Sequence, residues 1–172
     1  MMTDEQIGER ADCGVGFAGV FAVHHQRTVQ FAFLLCGNPH VAEEVVADAW
    51  VGVYRRLERG PITDIGPYLR RAVVNKLRSR ARRQLLMRRE ASGGSAMSAA
   101  DAMDDEVAAR MVVLRALARL PLRMRTAVVL RYYEALSVAE TAAIMGIAEG
   151  TVKSSVAKGL DRLRLLLEDG DR

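Results

Sequence analysis

The chain has 172 residues, 50% of them apolar and only 5% aromatic, with a formal net charge of +4. That length suits one or two small domains with packed cores, and the abundance of Ala, Leu, Arg and Val favours helices over sheets. No apolar run reaches the ~18 residues of a membrane span, and the acidic start MMTDEQIGERADCG lacks the apolar centre of a secretion signal, so a cytoplasmic protein is expected.

The charge is unevenly placed. Residues 55–90 hold twelve Lys and Arg against three acids, whereas residues 1–54 sum to −5 and residues 91–111 to −3. Such a block is a footprint for phosphates, and its ordinary alternative is a solvated helix face. Cys13, Cys36, His24, His25 and His40 form no CxxC or HxxxH pair, so neither a metal site nor a cofactor is expected. Unpaired thiols in a reducing compartment are the simpler reading.

After a loosely ordered stretch over 1–16, the first helix is expected over 17–36. Its stripe is Phe17, Val20, Phe21, His24, Thr28, Phe31 and Leu35, which places His24 in the core. Gly37 ends it, and Asn38-Pro39 supplies an N-cap and a first helical residue. The second helix, 39–57, turns Ala42, Val45, Val46, Ala49, Trp50, Val53 and Leu57 inward. Its outer acids Glu43, Glu44 and Asp48 come early and its bases Arg55 and Arg56 late. That order matches the helix dipole, and it also makes a docking surface for another protein.

A Gly- and Pro-bearing loop, 58–66, leads to a long helix over 67–89 with Tyr68, Leu69, Ala72, Val73, Leu77, Ala81 and Leu85 buried. Arg70, Arg71, Lys76, Arg78, Arg80, Arg82 and Arg83 cover the rest. Asn75 stands among them, and an amide beside a basic face can bond a base edge. Residues 90–106 shift to Gly, Ser, Ala and acid, the composition of a flexible linker. The expected fold is therefore all-α, with helical domains over 17–89 and 107–168.

The second domain is expected to hold helices over 107–120 and from Pro121, followed by a hairpin. Ser137 and Glu140 form a capping box with Leu136 as staple. Gly146 ends the first hairpin helix, and Glu149 and Thr151 open the second. The second helix carries an apolar stripe of Val152, Val156, Leu160, Leu163 and Leu167. Its other side offers Lys153, Ser154, Ser155, Ala157 and Lys158. Two helices across a Gly turn, the second with small and basic residues near its start, make a helix-turn-helix reader of DNA. Many helical hairpins share the Gly turn, but few leave that outer face so free of large apolar residues. No nucleophile–base pair, phosphate loop or paired carboxylate is present, so no catalytic site is expected.

Taken together, AEEVVADAWVGVYRRL (42–57), PYLRRAVVNKLRSRARR (67–83), LPLRMRTAVVLRYYEALSVAETAAIMGI (120–147) and GTVKSSVAKGLDRLR (150–164) resemble the extracytoplasmic-function (group 4) sigma factors of bacterial RNA polymerase, in their short actinobacterial form. The resemblance spans residues 17–167. It implies a specificity subunit whose 17–83 part is region 2 and whose 107–167 part is region 4. On that basis Glu43, Glu44, Asp48 and Trp50 would dock on the clamp coiled coil of the largest polymerase subunit. Ala47 stands where the family usually has Gln. The 58–66 loop, Asn75, Arg71, Arg78, Arg80, Arg82 and Arg83 would read the −10 element and hold the opened strand. Thr151, Lys153, Ser154, Ser155 and Lys158 would read the −35 element. Arg131 and the 123–125 segment would touch DNA backbone or the flap of the second-largest subunit. The linker acids Asp101, Asp104, Asp105 and Glu106 would line the RNA exit path, and an anti-sigma factor would be a further partner. Two other classes compete with this reading: a stand-alone regulator binding duplex DNA tightly by itself, and a helical adaptor with no salt-dependent DNA affinity.

Overall fold

The computed structural model describes residues 17–60, 62–90 and 105–170, and all regular structure among them is helical. The elements are α1 (Phe17–Cys36), α2 (Pro39–Leu57), α3 (Ile65–Glu90), α4 (Asp105–Arg119), α5 (Leu122–Val128), a π-turn (Val129–Tyr133), α6 (Val138–Met145) and α7 (Glu149–Gly170). Most of the 90–106 linker lies outside the described residues, although Glu90 closes α3 and Asp105 and Glu106 open α4.

Local chemistry sets most boundaries. The Asn38 side chain accepts from the Val41 amide, and Pro39 occupies the first turn of α2, where its missing N–H costs nothing. Ser137 and Glu140 make both halves of the capping box at α6, and Gly146 ends that helix at φ 63 in the left-handed region. α3 starts two residues earlier than the proline predicts, because the Asp64 carboxylate accepts from the Gly66 amide and holds the entry turn. The π-turn is not legible in the sequence. There the Glu134 amide bonds the Val129 carbonyl and the Leu136 amide bonds the Leu130 carbonyl, while Ala135 sits at φ 55.

α1, α2 and α3 pack as one unit around Phe31, Leu35, Val46, Val53, Leu57, Leu69 and Val73. Burying each such side chain stabilises the fold by about 1.5–3 kcal/mol. Phe17 and Phe21 meet the Trp50 ring with centroids at 5.7 and 4.9 Å. The remaining helices form the second unit, in which α5 crosses α7 at Gly159. A Cβ there would lie 2.8 Å from Val128 Cγ2, so the crossing requires glycine. This rotates the α7 stripe from the expected one: Val152, Ser155 and Gly159 are buried, and Leu160 is 37% exposed. His24 is likewise only half-buried.

The two units share a single core. One apolar cluster runs from Val20 through Leu117 and Leu120 to Met145, because α1 turns a second apolar face towards α4, α5 and the π-turn. Arg125, 9% exposed, stitches the seam by donating to the Leu35 carbonyl at 2.6 Å, the Leu120 carbonyl at 2.9 Å and the Ala118 carbonyl. Burial lowers its pKa from the ordinary arginine value, and the nearby Cys36 opposes that shift.

Candidate nucleic-acid interface

The long basic helix α3 presents its cations in two groups. Arg82 and Arg83 are exposed, as is the neutral Asn75 amide, and Arg82 borders a cleft with Leu122 and Arg123 of the second unit. Arg70, Arg71, Lys76, Arg78 and Arg80 are engaged within the molecule. Arg80 donates to both carboxylate oxygens of Glu44 at 3.0 and 2.8 Å, and Lys76 meets Asp48 at 2.6 Å, so α3 and α2 are laced by two exposed ion pairs. Exposed pairs contribute little, about 0–1 kcal/mol each, and a stronger partner can displace them. Arg71 donates to the Ala143 carbonyl and Arg78 to the Met145 carbonyl at 2.6 Å. Both carbonyls lie at the C-terminal end of α6, where helix geometry leaves acceptors without partners and the dipole favours cations.

Beside Arg71 lies a cleft of about 380 Å³ whose walls include Arg56, Thr63, Asp64, Tyr68 and, from the second unit, Ala143. The Tyr68 hydroxyl donates to the Gly52 carbonyl at 3.3 Å, which fixes the ring against α2. Arg56 donates to the Gly60 carbonyl at 3.3 Å and ties down the start of the loop.

The second basic face is on α7. Lys153, Ser154, Ala157 and Lys158 are exposed and Thr151 is half-buried. Ser155, 7% exposed, faces the bundle and lies away from that surface. The Ser154 hydroxyl donates to the Thr151 carbonyl at 3.1 Å. Burial of Val152 at 0% exposure anchors the start of the helix against α6.

On α2, Glu43, Glu44 and Asp48 are exposed along one side, whereas Trp50 is 4% exposed and supports that helix from within. Arg125 and Arg131 also have structural partners. Arg125 binds the seam carbonyls, and Arg131 donates to the Leu136 carbonyl within the π-turn exit. The cluster around Glu134 is barely legible in the sequence. Its carboxylate, 1% exposed, accepts from Arg70 at 2.6 Å and from Arg27 at 3.3 Å. The only hint is an acid placed straight after an apolar run in VVLRYYE. Among the described residues no group of His, Cys, Asp or Glu is arranged to hold a metal ion, and no helix is long and apolar enough to cross a membrane.

Both units match known families in sequence. Residues 20–85 match Sigma-70 region 2 and residues 110–163 match Sigma-70 region 4. The chain is 33% identical to the ECF RNA polymerase sigma factor SigM of Mycobacterium tuberculosis over 159 residues, which covers 88% of this chain and 76% of SigM. It is 35% identical to the RNA polymerase sigma-E factor of Streptomyces coelicolor, with 80% of this chain and 81% of that one covered. In fold it is similar to the sigma factor RpoE of Bartonella quintana, solved in complex with the anti-sigma factor NepR, at a TM-score of 0.73 and 23% identity over 88% of this chain and 96% of that one. Both halves of the chain thus match the two domains by which sigma factors are defined, in order and on the expected helices. The chain belongs to the extracytoplasmic-function sigma factors and directs promoter-specific transcription by RNA polymerase.

Proposed function

We propose that the two basic faces divide promoter recognition between them. Asn75, with Arg71, Arg78, Arg80, Arg82 and Arg83, forms the −10 reader, and the cleft beside Tyr68 and Arg71 takes a base extruded from the duplex. An aromatic ring next to polar and cationic groups suits an unstacked base, which needs a stacking surface and partners for its edge. The α7 face, with Thr151, Lys153, Ser154 and Lys158, reads the −35 element from the major groove. Ser155 acts there as a packing residue. Glu43, Glu44 and Asp48 dock on core polymerase, and Trp50 holds the shape of that surface. The exposed Asn75 amide, on the same side of α3 as Arg71, Arg78 and Arg82, carries the reading.

The chain acts as a specificity subunit without a catalytic site of its own and works in the cytoplasm, where polymerase is. An anti-sigma factor is a further partner, as it is for the Bartonella quintana protein. An apolar groove bounded by Phe33, Leu34, Val113, Leu114 and Tyr133 offers such a partner a face.

Transcription from a linear genomic template by core polymerase tests this function. Adding the chain should create new, defined start sites. Asn75→Ala should retain core binding and lose about tenfold in open-complex yield, the effect of one base contact worth ~1–3 kcal/mol. Equal open-complex yields from Asn75→Ala and wild type would refute the −10 assignment. Nanomolar, sequence-specific duplex binding without polymerase would favour a stand-alone regulator instead.

A further inference from the structure

Apart from the cleft at Tyr68, the seam between the two units holds another concavity, of about 240 Å³, between α3 and α5. We propose that it binds a small phosphate monoester. The phosphate is gripped by the guanidinium groups of Arg78, Arg82 and Arg123, and the carbon part lies on Val74, Leu122 and Met145.

The charge arrangement points to an anion. Elsewhere α3 sets its cations opposite acids: Arg70 at Glu134, Lys76 at Asp48 and Arg80 at Glu44. In this cleft it faces another cation, because α5 contributes Arg123 and no carboxylate among the described residues lines the wall. Arg82 and Arg123 are exposed and have no hydrogen-bond or ion-pair partner among the described residues. Arg78 donates to the Met145 carbonyl at 2.6 Å, which holds its head at the cleft and leaves further N–H groups of its fork. A hollow walled by like charges concentrates positive potential, and an anion that accepts forked, charge-assisted bonds relieves it.

The number of charges selects among phosphates. A monoester carries about −1.5 to −2 at neutral pH, whereas each link of a nucleic-acid backbone carries a single negative charge. Three guanidinium groups around one small cleft therefore favour the terminal phosphate of a small molecule over a passing strand. The floor calls for a carbon part. Val74 and Met145 are buried members of the core shared by both units, and Leu122 packs against it, so this apolar surface is in place before a ligand arrives. The Thr126 hydroxyl does not donate into the cleft, because it donates to the Leu122 carbonyl at 2.7 Å. Arg78 and Arg82 also belong to the −10 reader proposed above, so a bound monoester competes with the promoter strand for them. That consequence rests on the −10 reading; the site itself does not.

Calorimetric titration of the full chain with phenyl phosphate tests the site, because this probe joins a doubly charged phosphate to a small flat apolar group. Saturable binding is expected, with the Leu122 and Met145 methyl signals shifted by the ring in NMR spectra. Arg82→Ala with Arg123→Ala should weaken binding by about tenfold or more, the effect of losing one charge-assisted contact. Both side chains are exposed, so the fold should tolerate their loss. Arg115→Ala with Arg162→Ala removes the same charge from exposed positions elsewhere and should leave the affinity as it was. No saturable heat, or equal losses in the two double variants, would overturn the site. Methyl phenyl phosphate, a diester with one charge, should bind more weakly; equal binding would assign the cleft to a nucleic-acid backbone and overturn the monoester. Inorganic phosphate binding as tightly as phenyl phosphate would overturn the role of the apolar floor, and with it an organic ligand.

Discussion

α3 and α7 carry similar cargo, small polar and basic residues on one side of an amphipathic helix, but their surroundings are opposite. On α7 the long arms Lys153 and Lys158 project into solvent. On α3 most of the cations near Asn75 already have partners: Arg80 with Glu44, Lys76 with Asp48, and Arg71 and Arg78 with the end of α6. A count of charges cannot separate these cases. The density of Lys and Arg marks where phosphate is welcome, and the fold decides which of those side chains are free to receive it. The long cations of α7 are therefore exposed, and most of those near Asn75 on α3 are engaged within the molecule.

The contrast holds only if both helices belong to one cooperative structure, and Arg125 is the place to break it. Arg125→Ala leaves the Leu35, Ala118 and Leu120 carbonyls without their donor and opens a void at the seam. The expected loss is on the order of 3 kcal/mol, seen as a lowered midpoint in a single thermal transition. Two separate transitions in wild type would show that the units fold independently. Gly159→Leu probes the α7 side alone. Its side chain would drive into Val128 and Met124, and overpacking of this kind costs about 1–3 kcal/mol. Chemical denaturation should show that loss, and wild-type stability would mean that α5 and α7 can move apart freely.

Ser137→Ala removes one half of the capping box that aims α6, at a cost of ~1 kcal/mol. The other half responds to pH. Hydrogen bonds from Ser137 hold the Glu140 pKa below the ordinary carboxylate value. A carboxyl group depressed in the folded state adds stability above its unfolded pKa and loses it as pH falls through the folded one. In wild type the midpoint should therefore drop on acidification below the carboxylate range, and the drop should be smaller in Glu140→Gln. The smallest effect concerns Cys36. Burial raises its pKa, against a lowering pull from the Asn38 backbone and Arg125, so less thiolate is present at a given pH. Alkylation at mildly alkaline pH, followed by mass spectrometry of the peptide, should run several-fold slower than for free cysteine. Equal rates would place Cys36 in a more open setting than the seam provides.

Much of this fold was legible because its local signals agree. Asn38-Pro39, the Ser137–Glu140 box and Gly146 each act within one turn of chain, and each ends or starts a helix where expected. The seam was not legible. α1 has apolar residues on two faces, and periodicity counts a face without naming what covers it. Leu160 was misplaced for a related reason: hydrophobicity ranks leucine above glycine, yet the close crossing of α5 and α7 admits only glycine at 159. Trp50, Ser155 and Arg125 show the same limit. Their residue types fit a binding surface, and only the three-dimensional packing turns them inward. Of the exposed residues, Arg82, Arg83, Lys153 and Lys158 were marked by charge and register, and Asn75 by its amide beside a basic face and by the family resemblance.

Arg125 also bears on the order of events during synthesis. The last carbonyls of α1 need hydrogen-bond donors as any helix end does, and the side-chain donor for Leu35 lies 90 residues downstream. When α1, α2 and α3 have left the ribosome, the Leu35 carbonyl still lacks this donor, although the Gly37 amide already caps Phe33, and the second apolar face of α1 is still bare. The first unit can form its own core at that stage but not its final surface. A contact of such sequence separation closes slowly, and until it does the nascent chain displays apolar area of the kind that chaperones hold and proteases test. The time a new molecule spends in that state is set by how soon one arginine, late in the chain, reaches a carbonyl made early.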